Sequence, residues 1–345
     1  MSAESKIAFL PAGGMNIALA IKAYENGYEP TLWFHSQQSY DNFRRNHRSK
    51  RLRGVKIPRN IRGTLDIAEA LDGAGLVSFG PPSLHFREVV RAARPYLGEQ
   101  TLLLSVTKGF DGQELIYRTP SQVIEEEIPN SRQRLSVMLG PNFAREIALG
   151  KITGTTVAAY NPEIGDLIKR TFHTGVFWVD LNREVSPLDA EVVGAFKNVA
   201  GLVMGFSYSM PECGENARAF LLQKGLDEVA KLCDAIGGNS KAIMELCGIG
   251  DYGLLTNSLT SRNVKAGYDF GMGNITLEQL KHSDVESDTT VEGVRTTKAI
   301  RSLSQEDGVR VFMPLTRTVY KVLYEGMDPA DAIRRLLLRN HNSNH

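Results

Sequence analysis

An α/β domain built on a parallel sheet, followed by an all-helical domain, is what this sequence predicts, and three observations carry that expectation. The chain has 345 residues, enough for two domains with real cores. Its first half alternates short apolar runs with amphipathic stretches, the rhythm of strand–helix–strand crossovers. After Asp180 the period becomes helical, broken by glycine loops at Gly237-Gly238, Gly248-Ile249-Gly250 and Gly271-Met272-Gly273.

Strands are expected at Ile7 to Leu10, Pro30 to Phe34, Leu76 to Phe79, Leu102 to Val106, Ser136 to Leu139, Thr155 to Ala159 and Val176 to Val179. Helices fall between them at Met15 to Glu25, Leu65 to Leu71, Leu84 to Leu97 and Pro120 to Glu127. Leu181 to Pro187 is the expected boundary, giving domains at 1–184 and 185–345. The polar tail Asn340 to His345 is expected to be disordered.

Composition excludes several classes. A formal charge of +1 gives no global reason for nucleic-acid or membrane binding. Three cysteines without paired spacing argue against a disulfide scaffold and a zinc site, so no metal is expected. The opening residues run directly into a strand-like segment, so no secretory signal is expected and a reducing, cytoplasmic home is.

The most informative segment is Val192 to Phe206, in which only Lys197 and Asn198 are polar. A helix apolar on all sides is normally buried. Lysine is almost never buried unpaired, because its charge loses solvation there. Lys197 therefore lines a polar cavity or acts on a substrate, unless its stem packs while its ammonium reaches water. The uncharged part is too short for a membrane span.

Near the N-terminus a strand runs into Pro11-Ala12-Gly13-Gly14-Met15-Asn16 and then a helix, which looks like a dinucleotide-binding turn. Pro11 and Asn16 occupy the first and third glycine positions of the usual pattern, and Gly13 keeps the second. The helix start still offers amides and a positive dipole end to a phosphate. A tight structural turn needing small residues is the other reading. No acidic residue follows Leu32-Trp33-Phe34-His35, and a basic run does: Arg44, Arg45, Arg48, Lys50, Arg51 and Arg53. That run either accepts the 2′-phosphate of NADP or is a solvated face.

Several segments, in order, resemble the NAD(P)-dependent glycerol-3-phosphate dehydrogenase family. They are Ser105-Val106-Thr107-Lys108-Gly109, Leu139-Gly140-Pro141-Asn142-Phe143-Ala144-Arg145-Glu146, Gly194-Ala195-Phe196-Lys197-Asn198-Val199, Glu215-Asn216-Ala217-Arg218-Ala219, Gly248-Ile249-Gly250-Asp251, Ser261-Arg262-Asn263 and Val291-Glu292-Gly293-Val294-Arg295-Thr296. The resemblance implies a Rossmann-like domain, a helical substrate domain and an active site in the cleft between them. It implies Lys197 as general acid/base, with Lys108 and Asp251 beside it in the catalytic group. Lys108, Gly140, Asn142, Lys197, Asp251, Ser261, Arg262 and Asn263 would meet the substrate. Gly13, Gly14, Met15, Asn16, His35, Lys108, Ala144, Arg262 and Glu292 would meet NAD or NADP.

That set suits the chemistry. Oxidising a secondary alcohol by hydride transfer requires loss of the hydroxyl proton, which a lysine amine takes, and the reverse reaction returns it. Arg262, with a rigid fork of donors, suits a phosphate dianion. Leu255 stands where the family usually has threonine, with Thr256 beside it, and Asn142 where it has serine or threonine. The expected activity is interconversion of sn-glycerol 3-phosphate and dihydroxyacetone phosphate, or of a close phosphorylated or phosphonate analogue, in glycerophospholipid metabolism by a homodimer. Pro11 and Asn16 are expected to weaken cofactor binding. The alternative is a non-catalytic phosphate-ester or nucleotide-binding protein that keeps the pocket.

Overall fold

The computed structural model describes residues 6–113, 116–256, 259, 261–282 and 291–338; the tail Asn340 to His345 lies outside them. Two compact units emerge, one of residues 1–111 and 118–191, the other of 112–117 and 192–345.

The first unit is built on β1 (Lys6–Leu10), α1 (Gly14–Glu25), β2 (Glu29–Trp33), α2 (Gln37–Asn46), β3 (Arg62–Thr64), α3 (Ile67–Leu71), β4 (Leu76–Phe79), α4 (Phe86–Ala93) and β5 (Leu102–Ser105). After the hairpin strands β6 (Asp111–Gln113) and β7 (Ile116–Arg118) come α5 (Pro120–Glu127), β8 (Leu135–Leu139), α6 (Ala144–Ala148), β9 (Thr153–Ala159), α7 (Pro162–Phe172) and β10 (Phe177–Leu181). The strand order is β10-β9-β8-β5-β4-β1-β2-β3. Side chains alternate across each strand. Ile7 and Phe9 therefore join the core under α1 and α7, while Ala8 and Leu10 join the core under α4 and α5. Burial on both faces explains why these strands read as continuous apolar runs.

The sheet is not wholly parallel as expected. β9 runs antiparallel to β8, and β10 is parallel to β9. The connection from β8 to β9 holds only the five-residue α6. A helix that short, about 7.5 Å, is too brief to carry the chain back along a strand. The chain re-enters the sheet from the end it left.

The second unit contains most of α8 (Pro187–Tyr208), then α9 (Glu215–Ala235), α10 (Asp251–Thr256), α11 (Arg262–Gly271), α12 (Leu277–His282), α13 (Glu292–Leu303), α14 (Pro314–Glu325) and α15 (Pro329–Leu338). Most of β6 and β7 groups with these helices, and Arg295 Nη2 donates to the Gly112 carbonyl at 3.2 Å. These three-residue strands are too short to show period-two alternation in sequence. The two units divide between Glu191 and Val192, inside α8. The first turn of α8 stays with the first unit because the Glu191 carboxylate accepts from the Ser121 amide at 2.9 Å and from its hydroxyl at 2.5 Å.

α8 and α11 approach closely where glycines remove side chains. A Cβ on Gly205 would lie 2.3 Å from the Val264 carbonyl oxygen, and one on Gly267 would lie 2.6 Å from that of Leu202. Leu202, Val203 and Phe206 are fully buried along the same helix.

Burial raises the Glu191 carboxyl from its ordinary 4.5 to about 7, against the hydrogen bonds from Ser121 and Thr119 that favour its ionised form. The folded protein therefore holds this proton more tightly than the unfolded chain. Its contribution to stability is complete below pH 4.5 and is lost as pH rises through 7. Glu191→Gln should flatten the fall in unfolding free energy between those two values, measured by urea titration across the range. An unchanged slope would show that Glu191 ionises in the fold as it does in the open chain.

Candidate active site

In the first unit the turn after β1 leads to α1 with Gly13 as its N-cap. No side chain caps this helix start, and no acidic residue lies in its first turn. Its leading amides and positive dipole end suit a pyrophosphate. A Cβ on Gly13 would meet nothing closer than 3.7 Å, whereas Gly14 is flanked by Ala144 at 3.6 Å and Leu52 at 3.7 Å. The Ala12 amide donates to Trp33 O at 2.7 Å, which sets the end of β2 against the turn. His35 follows β2 and is exposed.

Asn16 is used differently from the expectation. Its side chain is fully buried. Nδ2 donates to the carbonyls of Pro11 at 2.9 Å and Ser78 at 3.3 Å, and Oδ1 accepts from the Ser78 hydroxyl at 2.8 Å. The amide staples the turn to β4, so its donors and acceptor serve the fold. The need for a small residue has moved across the contact: a Cβ on Gly80 would lie 2.9 Å from Asn16 Nδ2. Gly14, Met15 and Asn16 still present backbone amides at the helix start, while the Gly13 amide donates to Pro11 O at 2.7 Å.

Lys108 follows β5, half-buried, and its ammonium donates to the Gly140 carbonyl at 2.9 Å. The loop after β8 is held in turn: Asn142 N donates to Gly140 O at 2.7 Å, and Asn142 Nδ2 to Gly154 O at 2.8 Å. A side chain at Gly140 would come within 2.9 Å of Thr155 Cα.

In the second unit Lys197 lies mid-way along α8, its side chain 12% exposed, and its ammonium pairs with Asp251, which has no exposure. The pair resolves the sequence puzzle: an apolar helix tolerates a lysine because a buried carboxylate meets it. Asp251 starts α10 directly after a tight turn, Leu246–Gly250. A Cβ on Gly248 would lie 2.3 Å from the Ile243 carbonyl oxygen, so only glycine permits that turn. Tyr252 then locks the register. It is fully buried, donates its hydroxyl to Val193 O at 3.0 Å and stacks on Phe196 at 6.5 Å. Sequence reasoning missed Tyr252; its signal was an aromatic residue beside a candidate acid.

Asn198, beside Lys197, is 8% exposed and belongs to a chain of amides. Gly293 N donates to Asn263 Oδ1 at 2.9 Å, and Asn263 Nδ2 donates to Asn198 Oδ1 at 2.9 Å. That fixes the orientation of the Asn198 amide, whose Nδ2 has no partner among the described residues. A buried amide donor left unmade costs about 1–3 kcal/mol, a deficit that a bound ligand relieves. Ser261 caps α11 without a side-chain hydrogen bond, and Arg262, exposed, and Asn263 form its first turn. Glu292 opens α13, one residue from Gly293. Sequence reasoning noticed Asn198 only as a polar neighbour of Lys197.

The first unit offers a dinucleotide turn. The second offers a buried lysine–aspartate pair beside amide donors. Together they define a two-domain, dinucleotide-dependent oxidoreductase. Comparison with known proteins gives the family. Residues 6–165 match the N-terminal profile, and residues 188–334 the C-terminal profile, of NAD-dependent glycerol-3-phosphate dehydrogenase. A glycerol-3-phosphate dehydrogenase [NAD(P)+] of Symbiobacterium thermophilum is 35% identical across 96% of this chain and 94% of that protein. One from Bacillus velezensis is 34% identical across 97% and 94%. The crystal structure of glycerol-3-phosphate dehydrogenase from Coxiella burnetii matches with a TM-score of 0.87 at 27% identity, covering 97% of this chain and 99% of that one. The chain belongs to the glycerol-3-phosphate dehydrogenase family.

The role of Asn16 predicts the outcome of restoring glycine there. Asn16→Gly would unmake three hydrogen bonds and add backbone freedom to a helix. It should lower stability by about 2 kcal/mol or more rather than tighten nicotinamide binding. Calorimetry of the variant with and without NADH checks both halves; tighter binding with unchanged melting would overturn this account of the turn.

Proposed function

We propose that this protein interconverts sn-glycerol 3-phosphate and dihydroxyacetone phosphate with a nicotinamide dinucleotide, with Lys197 as the proton carrier. The observation that carries the reading is the buried Lys197–Asp251 pair, adjacent in sequence to an Asn198 amide that is oriented but unpartnered. A proton donor next to an anion-binding group is what a small phosphorylated ketone requires.

When bound, NAD or NADP supplies or accepts the hydride. In the reducing direction the Lys197 ammonium protonates the carbonyl oxygen as the carbon is reduced. In the oxidising direction the neutral amine takes the hydroxyl proton. Asp251 holds Nζ in place. The phosphate goes to Asn198 Nδ2, the Arg262 guanidinium and the first turn of α11, including Ser261 and Asn263, where donors and dipole favour a dianion. Gly140 and Asn142 set the position of Lys108, which contributes a second cation toward substrate and cofactor. Gly13, Gly14, Met15 and the Asn16 backbone take the pyrophosphate, with His35, Ala144, Arg262 and Glu292 as further cofactor contacts. No observation favours the non-catalytic alternative. The same reading takes the enzyme to be a cytoplasmic homodimer, and sedimentation of the purified chain tests the assembly. No helix among the described residues is long and apolar enough to cross a membrane.

Removing Lys197 outright would strand a buried carboxylate, at a cost of about 3–5 kcal/mol. Lys197→Arg is the sharper test, because a guanidinium keeps the ion pair but does not release its proton. Turnover of dihydroxyacetone phosphate, followed by NADH or NADPH absorbance, should fall roughly 10²–10⁴-fold with melting temperature retained. Near-normal turnover would remove Lys197 from the proton path.

Arg262→Lys isolates phosphate recognition. An ammonium does not reproduce the bidentate fork, so the variant should lose about tenfold or more in kcat/KM for dihydroxyacetone phosphate. The slow reaction with unphosphorylated dihydroxyacetone should lose less, only what Arg262 contributes through the cofactor. Equal losses on both would place Arg262 outside the phosphate contact.

A further inference from the structure

We propose that Arg51 makes this enzyme select the 2′-phosphorylated nicotinamide dinucleotide, NADPH over NADH; the inference rests on the dinucleotide site proposed above. In a nucleotide-binding sheet of this order, the adenosine ribose lies beyond the end of the second strand. An acidic residue there binds the 2′-hydroxyl and repels a 2′-phosphate, whereas an arginine accepts it. Here β2 ends in Trp33, and Phe34, His35 and Ser36 follow without a carboxylate. Asp41 is the first acidic residue after β2, within α2, where its carboxylate accepts from Gln37 Nε2 at 2.9 Å. Between Asp41 and Asp66 stand nine lysines and arginines and no aspartate or glutamate. A field of one sign favours the more highly charged nucleotide.

The fold then singles out one of the nine. The segment from His47 to Ile57 is closed by the Ile57 amide donating to His47 O at 2.8 Å. Leu52, Val55 and Ile57 anchor it in the same core as Phe34, Phe43 and Ile17. That anchoring sets Arg51 against the dinucleotide turn: its Cβ is 3.9 Å from where a Cβ on Gly14 would lie. Trp33, at the end of β2, is bonded to the same turn through Ala12. Arg51 is exposed, so its long side chain has solvent-side space in which to meet a phosphate. Arg44 and Arg45 instead sit in the last turn of α2, about 10 Å along the helix from its start. Arg145 braces the segment from behind, donating from Nε to Arg53 O at 2.8 Å.

The test compares kcat/KM for NADPH and NADH at fixed dihydroxyacetone phosphate, with direct titration of both nucleotides by their fluorescence. It uses the full-length wild type, Arg51→Gln, and a double variant, Arg44→Gln with Arg45→Gln. The wild type should prefer NADPH. Arg51→Gln should cut that preference about tenfold or more, mainly through the KM and Kd for NADPH. The double variant removes twice the charge and should leave most of the preference in place. Equal affinity for the two nucleotides in the wild type would overturn the proposal. So would equal losses on both in Arg51→Gln, or a double variant that erases the preference as fully. Absence of turnover with either nucleotide would strike the dehydrogenase reading instead, while the titrations would still decide the preference.

Discussion

A charge taken out of water must be answered by another group, and that constraint organises the helical unit. Lys197 lies in a helix segment, Val192 to Phe206, whose only other polar residue is Asn198. Asp251 answers the Lys197 ammonium from a different helix, and Asp251 is itself wholly buried. The attraction offsets desolvation only if the two groups stay in register. Much of the surrounding detail keeps them there. The Tyr252 hydroxyl reaches Val193, one helical turn before Lys197, and its ring stacks on Phe196. Gly248 permits the turn that presents Asp251, because any larger residue would meet the Ile243 backbone. Structural groups thus hold the Lys197 ammonium where water has limited access.

The same logic extends to the amides. Gly201, Gly205 and Gly267 let α8 and α11 approach so closely that Asn263 reaches Asn198 across the contact. A Cβ on Gly293 would lie 2.6 Å from Asn198 O, so the start of α13 is drawn into the cluster too. The glycines lose helix propensity, roughly 1 kcal/mol each relative to alanine. In return, backbone and side-chain amides from three helices converge on one place. Asn198 is left with a donor that no described residue satisfies.

Much of this was legible in the sequence, and the limits have physical causes. Alternating apolar runs showed the strands of the first unit because burial on both faces leaves no room for polar residues. The reversal at β9 was not legible, since strand direction depends on the length of α6 and not on any feature of β9 itself. The β6–β7 hairpin escaped notice because three-residue strands carry no period. Lys197 and Asp251 were each visible, the first as an anomaly and the second through family resemblance, and the structure supplied their contact. Tyr252 looked like an ordinary core aromatic, and its hydroxyl acquired a role only once Val193 was found within reach.

Asn16 shows why a motif is an incomplete statement of the physics behind it. The glycine pattern at a dinucleotide turn encodes a requirement on a pair: helix and strand must approach closely, so one of two facing residues has to be small. With asparagine at position 16 the requirement falls on its neighbour, and Gly80 meets it. The added amide then bonds to Pro11 and Ser78 and holds the turn more firmly than glycine would. Read one residue at a time, the turn looks eroded. Read as contacts, it keeps the close approach and an uncapped helix start for the pyrophosphate. What has changed is which chain segment provides the space, and only the three-dimensional contact reveals that exchange.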